Sequence, residues 1–212
     1  MRYDVMMTMK SAVLSALWFV LIAPPVSGQE PQLRTITIEQ PRTIDGIPCG
    51  PTGKAKARLY SSGKLESCPL AVDHVLHGHT LKAKTWVYID KFGTLTHAWL
   101  AQNTKIQGHT CKGTGYDGWV TEFYPTGRLK LCYLAEEELI QGVPCRKGSF
   151  WGEVTGGVKV SFYENGNLES CRAARDFSRA GRDYKKRRRV YLDPNGQPIS
   201  APAEKPRTRS RD

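Results

Sequence analysis

Five times along the chain, a short run of apolar and aromatic residues leads into polar turn residues and a glycine, and a second apolar run follows. The turn glycines recur at intervals of 30 to 39 residues, as Gly63, Gly93, Gly127, Gly166 and Gly196. Recurrence over such a period is typical of repeat architectures, in which each repeat is one small structural unit. The sequence therefore predicts five similar units.

The residues around each of these glycines indicate a β-hairpin. The clearest example is segment 162–168, in which Asn165-Gly166 stands between two apolar runs. Asn-Gly favours tight hairpin turns because both residues tolerate positive φ, and Asn195-Gly196 repeats the signal. An earlier glycine opens each unit, and these glycines are Gly46, Gly78, Gly108, Gly142 and Gly181.

A single hairpin cannot bury its apolar side, whereas hairpins laid side by side share a sheet. We therefore predict an all-β chain, a row of about five antiparallel β-hairpin repeats that form an elongated or solenoid-like sheet. Residues 32–39 alternate like a leading strand, and minor helix is expected at 134–139 and 173–181. The predicted units span about residues 42–72, 73–102, 103–135, 136–175 and 176–199, within a repeat domain at 29–199.

The segments Phe123-Tyr-Pro-Thr-Gly-Arg-Leu129 and Phe162-Tyr-Glu-Asn-Gly-Asn-Leu168 resemble the bacterial variant of the MORN repeat. The core of that repeat is an aromatic residue, an Asn-Gly turn and an apolar residue. The resemblance covers roughly residues 46–199. It implies elongated antiparallel sheet modules that contact proteins or membranes, with no common catalytic residue. This chain departs from the family pattern in its longer units and its paired cysteines.

The N-terminus has the features of an export signal. Arg2 and Lys10 precede an apolar segment from Ala12 to Ala23, and Val26-Ser-Gly28 supplies small residues for cleavage before Gln29. The apolar segment is short for a membrane span. We expect a signal peptide at 1–28, a periplasmic or secreted mature chain and no transmembrane span in it; the alternative is an uncleaved anchor.

Six cysteines in an exported chain are expected to form three disulfides. Units one, three and four carry two cysteines each, whereas unit two has Leu81 and Ala98 at the equivalent positions. Pairing between neighbouring units would strand two thiols, and pairing within units strands none. The expected bonds are Cys49–Cys68, Cys111–Cys132 and Cys145–Cys171, with a structural role rather than a metal or redox role.

The basic residues concentrate near the C-terminus. The whole chain has 31 Lys and Arg against 20 Asp and Glu, and residues 172–212 alone have 13 against 5. Such a block attracts anionic lipids, acidic polysaccharide or an acidic protein face, and no physiological nucleic acid is expected. The alternative is a solvated basic edge that protects an end strand. The candidate polyanion-binding residues are Arg182, Lys185, Lys186, Arg187, Arg188 and Arg189, and 200–212 is expected to be a disordered basic tail.

Histidines supply the only candidate metal ligands. His74, His77 and His79 lie within six residues, and His109 repeats the Gly-His-Thr setting of His79. Imidazoles bind zinc or copper when a turn gathers them, but the repeat explains this recurrence without a metal. Solvent-exposed or loop histidines are therefore the default expectation, and no cofactor is expected. Trp86, Trp99, Trp119 and Trp151 are expected to pack against the sheet, with a carbohydrate or peptide groove as the alternative.

Three hypotheses on function follow. The repeat favours an exported, non-enzymatic module for protein binding or scaffolding in the cell envelope. The alternative is a binder of polyanions or anionic membrane surfaces that acts through the basic C-terminal region. The third is a metal-dependent enzyme centred on His74, His77 and His79, although nucleophile and phosphate-binding motifs are missing from the sequence.

Overall fold

A computed structural model describes residues 33–113, 119–149 and 158–201, and these residues form twenty short β-strands. The expected signal peptide at 1–28, most of the expected tail at 200–212, and Trp151 lie outside the described residues. No helix long and apolar enough to cross a membrane occurs in the described part of the chain.

The strands are three to five residues long. In chain order they are β1 (Leu33–Ile36), β2 (Arg42–Ile44), β3 (Ile47–Cys49), β4 (Ala57–Tyr60), β5 (Leu65–Pro69), β6 (His74–Leu76), β7 (His79–Leu81), β8 (Trp86–Ile89), β9 (Leu95–Trp99), β10 (Thr104–Ile106), β11 (His109–Cys111), β12 (Val120–Phe123), β13 (Leu129–Cys132), β14 (Glu138–Ile140), β15 (Val143–Cys145), β16 (Val160–Phe162), β17 (Leu168–Arg172), β18 (Phe177–Arg179), β19 (Arg182–Tyr184) and β20 (Arg189–Tyr191).

Ten strands form one antiparallel sheet in the order β1-β4-β5-β8-β9-β12-β13-β16-β17-β20. The other ten form five separate two-stranded hairpins, β2–β3, β6–β7, β10–β11, β14–β15 and β18–β19. Each unit therefore contributes one small hairpin and then one hairpin of the sheet. The predicted all-β row of antiparallel hairpins is confirmed, with β1 as the leading strand at one edge of the sheet.

The sheet hairpins turn at the predicted glycines. In the first of them, Gly63 N donates to Tyr60 O at 2.9 Å, and Tyr60 N donates to Lys64 O at 2.9 Å. The φ of Gly63 is +84°, and the strand register shifts by one residue just before the turn. This geometry is a type I turn closed by a left-handed glycine, which is a common three-residue hairpin loop. The same bonds recur at the other four glycines, so the five predicted turns are confirmed.

The small hairpins were not predicted, although their glycines were noticed. Ile44 pairs with Ile47, so the loop between them has only two residues, Asp45 (φ +50°) and Gly46 (φ +78°). Positive φ at both loop positions defines the type I′ turn, which matches the twist of the strands. Strands of three residues are too short to show an alternating pattern, and Pro48 within β3 argues against a strand in the sequence.

The helices expected at 134–139 and 173–181 are wrong, and no residue in the described ranges is helical. Leu134 and Ala173 instead pair with the small-hairpin cysteines Cys111 and Cys145. The rest of each segment enters a small hairpin, through β14 and β18 respectively. Isolated helical turns this short are unstable, so backbone pairing with neighbouring strands decides their structure.

The hydrophobic core lies between the small hairpins and one face of the sheet. Ile47, Leu81 and Val143 of the small hairpins belong to the same buried cluster as Leu95 and Leu168 of the sheet. Because strand residues alternate between two faces, the sheet's other face is left uncovered by the small hairpins. We call it the second face.

Two of the three predicted disulfides are formed, and both join a small hairpin to a sheet strand. Cys49–Cys68 and Cys145–Cys171 each have a Cα–Cα distance of 5.7 Å. The third predicted bond is not formed in this structure, in which Cys111 is an unbonded thiol, fully buried and hydrogen-bonded to the equally buried thiol of the third pair.

A recurrent hydrogen bond locks each small hairpin to the next turn of the sheet. The residue before the first glycine of units one to four accepts the backbone N–H of the leucine that follows the second glycine. The bonds run from Leu65 to Asp45 Oδ2 at 2.6 Å, from Leu95 to His77 Nε2 at 3.3 Å, from Leu129 to Gln107 Oε1 at 3.1 Å, and from Leu168 to Gln141 Oε1 at 3.0 Å. Side chains of different chemical types, Asp, His and Gln, therefore accept the same backbone hydrogen bond.

Tyrosine hydroxyls link successive sheet hairpins. Tyr60 donates to the carbonyl of Ile89 at 2.9 Å. The corresponding residues of later units, Tyr124 and Tyr163, donate to the carbonyls of Phe162 and Leu192 at 2.9 and 2.8 Å. Burial raises the pKa of all three phenols. The repeats are thus coupled to their neighbours through side chains as well as through the sheet.

Candidate functional site

The second face carries two regular rows of side chains that run across the strands. The strand register aligns one row through nine strands: Arg58, Ser67, Tyr88, His97, Glu122, Leu131, Ser161, Ser170 and Tyr191. The row beside it contains Pro69, Trp86, Trp99 and Val120. Aromatic side chains are therefore concentrated at the β5 to β9 part of the second face.

A groove of about 610 Å³ opens at this part of the second face. We call it the aromatic groove. Its lining side chains are aromatic, basic or small and include no carboxylate; they are Thr52, Lys54, Ala55, Lys56, Arg58, Ser67, Lys84, Trp86, Tyr88 and Trp99. Both tryptophans are partly exposed and belong to neither buried cluster, so the expectation that they pack in a core is wrong.

The floor of the aromatic groove is held rigidly. Tyr88 is only 8% exposed and stacks on His97 with ring centroids 4.0 Å apart. The edge of Trp99 contacts the Tyr88 ring at 5.1 Å, and Arg58 lies 5.6 Å above it. Arg58 is itself held by two hydrogen bonds to Glu66, of 2.6 and 2.7 Å. Burial lowers the pKa of His97 despite the nearby carboxylates, so this ring is a neutral packing partner at neutral pH.

A separate basic cleft of about 420 Å³ lies at the other end of the sheet. It is lined by Arg172, Lys186, Arg187, Arg188 and Arg189. We call it the basic cleft. Four of the six predicted polyanion-binding residues line it, and Arg172, outside that predicted set, joins them because Arg172 and Arg189 are direct partners in β17 and β20.

Hydrogen bonds hold two of the arginine side chains that line the basic cleft. Arg172 Nη1 donates to the carbonyl of Arg187 at 3.0 Å, and Arg189 Nη1 donates to Ser170 Oγ at 3.0 Å. Burial lowers the pKa of Arg189, and the neighbouring Arg172 contributes in the same direction. A pKa lowered from so high a value leaves this guanidinium charged at neutral pH.

Two predicted members of the basic group do not line this cleft. Lys185 pairs with Asp176 at 3.1 Å, and Asp176 also accepts the backbone N–H of Lys186. Arg182 points toward the carbonyl of Pro198 at 3.5 Å. These two side chains therefore support the end hairpin, whereas Lys186, Arg187 and Arg188 form no ion pair within the described ranges.

The candidate metal ligands are not brought together. The described residues hold no group of three or more His, Cys, Asp or Glu side chains arranged for a metal ion. His79 Nε2 lies 2.7 Å from the carbonyl of Gly127, and His109 Nδ1 lies 2.9 Å from Glu138. Each of these two rings also stacks on a phenylalanine in the sheet hairpin of the following unit, and His74 is a partly exposed strand residue. His77 is the turn acceptor described above.

Searches of protein-family models, curated proteins and solved structures find no match to this chain. The resemblance to MORN repeats therefore rests on the turn motifs alone, and the aromatic groove and the basic cleft are assessed on their own geometry.

Proposed function

We propose that the chain is an exported, non-enzymatic binding and scaffolding module that attaches to an anionic component of the cell envelope through the basic cleft. The observation that carries this proposal is the convergence of five cationic side chains on one cleft. Three of them, Lys186, Arg187 and Arg188, form no ion pair with a carboxylate of the described residues, although Lys186 is near enough to Asp176 to help lower the pKa of that carboxyl. Their charge is therefore available to a ligand.

The cleft is preorganised for an anion. The backbone N–H of Arg187 donates to the carbonyl of Ala173 at 2.8 Å, and Arg187 adopts a left-handed φ of +68°. Pairing of β17 with β20 fixes Arg172 beside Arg189. Like charges held this close repel each other, and a bound anion relieves the repulsion. Near an anionic lipid surface, each basic side chain contributes about 1 kcal/mol.

Two observations support the proposed export. The two disulfides are of the kind that persists in oxidising compartments. The sequence before residue 29 has the composition of a signal peptide. A periplasmic or secreted location places the basic cleft next to anionic lipids and acidic polymers of the envelope.

Vesicle co-sedimentation tests the proposal. The triple variant Lys186→Gln, Arg187→Gln, Arg188→Gln removes three charges and leaves the strands unchanged. We expect its partition onto phosphatidylglycerol-containing vesicles to fall on the order of a hundredfold, and that of the wild type to fall as salt rises. The matched control substitutes Gln for three exposed lysines elsewhere in the sheet and turns, Lys64, Lys91 and Lys105.

The control variant should stay close to wild type, because local charge and not net charge drives retention. Equal retention of wild type and cleft variant would reject the proposal. A parallel measurement with soluble polyphosphate separates the two sources of anion. Binding of wild type to polyphosphate that is lost in the cleft variant, without retention of wild type on vesicles, would assign the cleft to a polymer rather than to a lipid surface.

A further inference from the structure

We propose that the aromatic groove is a binding site for an anionic carbohydrate. Pyranose rings would lie against Trp86 and Trp99, and carboxylate or sulfate groups of the sugar would meet the surrounding lysines. This site goes beyond the proposed function, because it uses different residues from the basic cleft and recognises rings as well as charge.

The two tryptophans form the stacking surface. Trp86 and Trp99 are direct partners in the β8–β9 pair, and both indoles stand on the second face. Tyr88 lies in the neighbouring row, is held by its stack on His97, and supports Trp99 through an edge contact. Large aromatic side chains gain most when they are buried, so two that remain partly exposed side by side indicate a surface that a ligand covers. The C–H faces of a pyranose carry partial positive charge and suit the negative faces of the rings.

The charge around these rings selects an anion. Lys54, Lys56 and Lys84 line the aromatic groove, whereas Arg58 is already neutralised by its bidentate contact with Glu66. Lys56 also donates to the hydroxyl of Thr37, which orients its ammonium group. Three ammonium groups without a lining carboxylate complement an acidic sugar and leave a neutral sugar with fewer contacts.

The same lining is unsuited to the specific reading of a nucleobase. Specific recognition of bases uses exposed aromatic faces together with acceptors and donors for the base edges, whereas sequence-tolerant binding uses stacking and positive charge alone. The groove has no carboxamide or carboxylate in its lining to accept from an exocyclic amine. The Tyr88 ring is also already in contact with His97 and Arg58. A carboxylated or sulfated pyranose requires only the donors that are present.

The aromatic groove and the basic cleft are distinct sites. From β9, the strand of the aromatic groove nearest to the basic cleft, to β17 there are four strand spacings in the sheet, which is about 19 Å at the usual distance between strands. A buried cluster that contains Trp119, Leu131, Tyr133 and Val158 lies on the strands between them. Loss of one site should therefore leave the other intact.

Calorimetric titration with defined oligosaccharides tests the inference. The probes are tetragalacturonate and a chondroitin sulfate tetrasaccharide, with maltotetraose as the neutral control. We expect at least one acidic probe to bind and Trp99→Ala to weaken it by about tenfold, the effect of losing one aromatic contact. Lys84→Gln should weaken binding about threefold and reduce its dependence on salt.

Matched controls separate the groove from the rest of the protein. Trp119→Phe changes the tryptophan of the buried cluster between the two sites, and Lys91→Gln removes an exposed lysine from the β8–β9 turn. Both variants should bind the acidic probe as the wild type does. The triple variant of the basic cleft should also bind the acidic probe. The proposals for the basic cleft and for the aromatic groove can therefore fail independently of each other.

Three results would overturn the inference. The first is absence of binding by both acidic probes to wild type whose circular dichroism is that of a folded sheet. The second is equal affinity for maltotetraose, which would remove the role of charge. The third is preferential binding of single-stranded oligothymidylate that is lost in Trp99→Ala, which would assign the groove to nucleobases.

Discussion

Oxidation of the third cysteine pair should stabilise the protein without rearranging its backbone. Cys111 and Cys132 occupy the same positions in their unit as the bonded pairs of units one and four, and both are fully buried. Their thiols already contact each other through a hydrogen bond. Bond formation therefore requires only the loss of two thiol hydrogens to an oxidant and a small side-chain movement.

The expected gain follows from the loop that the bond closes. The two cysteines are 21 positions apart, and for a loop of that length the chain-entropy relation gives about 3 kcal/mol of stabilisation. The bond restricts the unfolded chain, so the gain appears as a higher urea midpoint, with a somewhat lower slope because the crosslinked unfolded chain exposes less surface. Burial raises the pKa of Cys111, which lowers the fraction of reactive thiolate, so oxidation in the folded state should be slow.

The assay compares three proteins that keep the other two disulfides. The first has this pair reduced, as shown by two alkylated cysteines in a peptide map, and the second has it oxidised. The third is the double variant Cys111→Leu, Cys132→Ala, which copies the Leu81 and Ala98 pair of unit two.

Urea unfolding should place the oxidised protein about 3 kcal/mol above the reduced protein. The Leu and Ala variant should lie close to the reduced protein, because its apolar pair suits the same site. Equal stability of oxidised and reduced protein would refute the argument. So would a peptide map in which either cysteine forms a bond with a cysteine of another unit.

Further predictions concern the bonds between repeats. Gln141→Ala leaves the backbone N–H of Leu168 without its acceptor and should cost about 1 to 3 kcal/mol in urea unfolding, whereas Leu139→Ala, at an exposed position of the same hairpin, should cost little. Tyr163→Phe removes the hydroxyl bond to the Leu192 carbonyl and should cost about 1 kcal/mol, with faster amide exchange at the β20 end of the sheet. A raised thiol pKa in the folded state means that the unfolded chain ionises first, so the reduced protein should lose stability as pH rises above the ordinary thiol pKa, and the oxidised protein should lose less. Identical alkaline profiles for the two forms would contradict that expectation.

The sequence was informative where one residue type is required by the backbone. Gly63 and its counterparts sit at left-handed φ, which only glycine adopts readily, so their recurrence predicted the sheet hairpins. The small hairpins escaped prediction because Asp45, His77, Gln107 and Gln141 differ in chemistry while serving the same purpose. Only the bond that each accepts from a distant leucine reveals their equivalence, and that bond depends on tertiary structure.

The candidate sites, too, were predictable from the sequence only in part. Run 185–189 was visible as charge, but the role of Arg172 depends on which strand pairs with β20. Trp86 and Trp99 were expected to pack against the sheet because the alternation of a strand does not reveal which face is covered. The small hairpins cover one face, and these tryptophans lie on the other.

The last unit is built differently from the other four, and the difference bears on the basic cleft. It has no cysteine, as unit two has none, and unlike all four earlier units it has Ala180 in place of the turn acceptor. Arg179 supplies hydrogen bonds in place of the missing acceptor, but as a donor: its guanidinium donates to the carbonyls of Gln141 and Gly196. Arginine thus ties the end hairpin to the preceding unit through a hydrogen bond to the Gln141 carbonyl. The end of the sheet that carries the basic cleft is therefore held by charge-assisted hydrogen bonds, and an anion bound there would act on a unit that has no disulfide of its own.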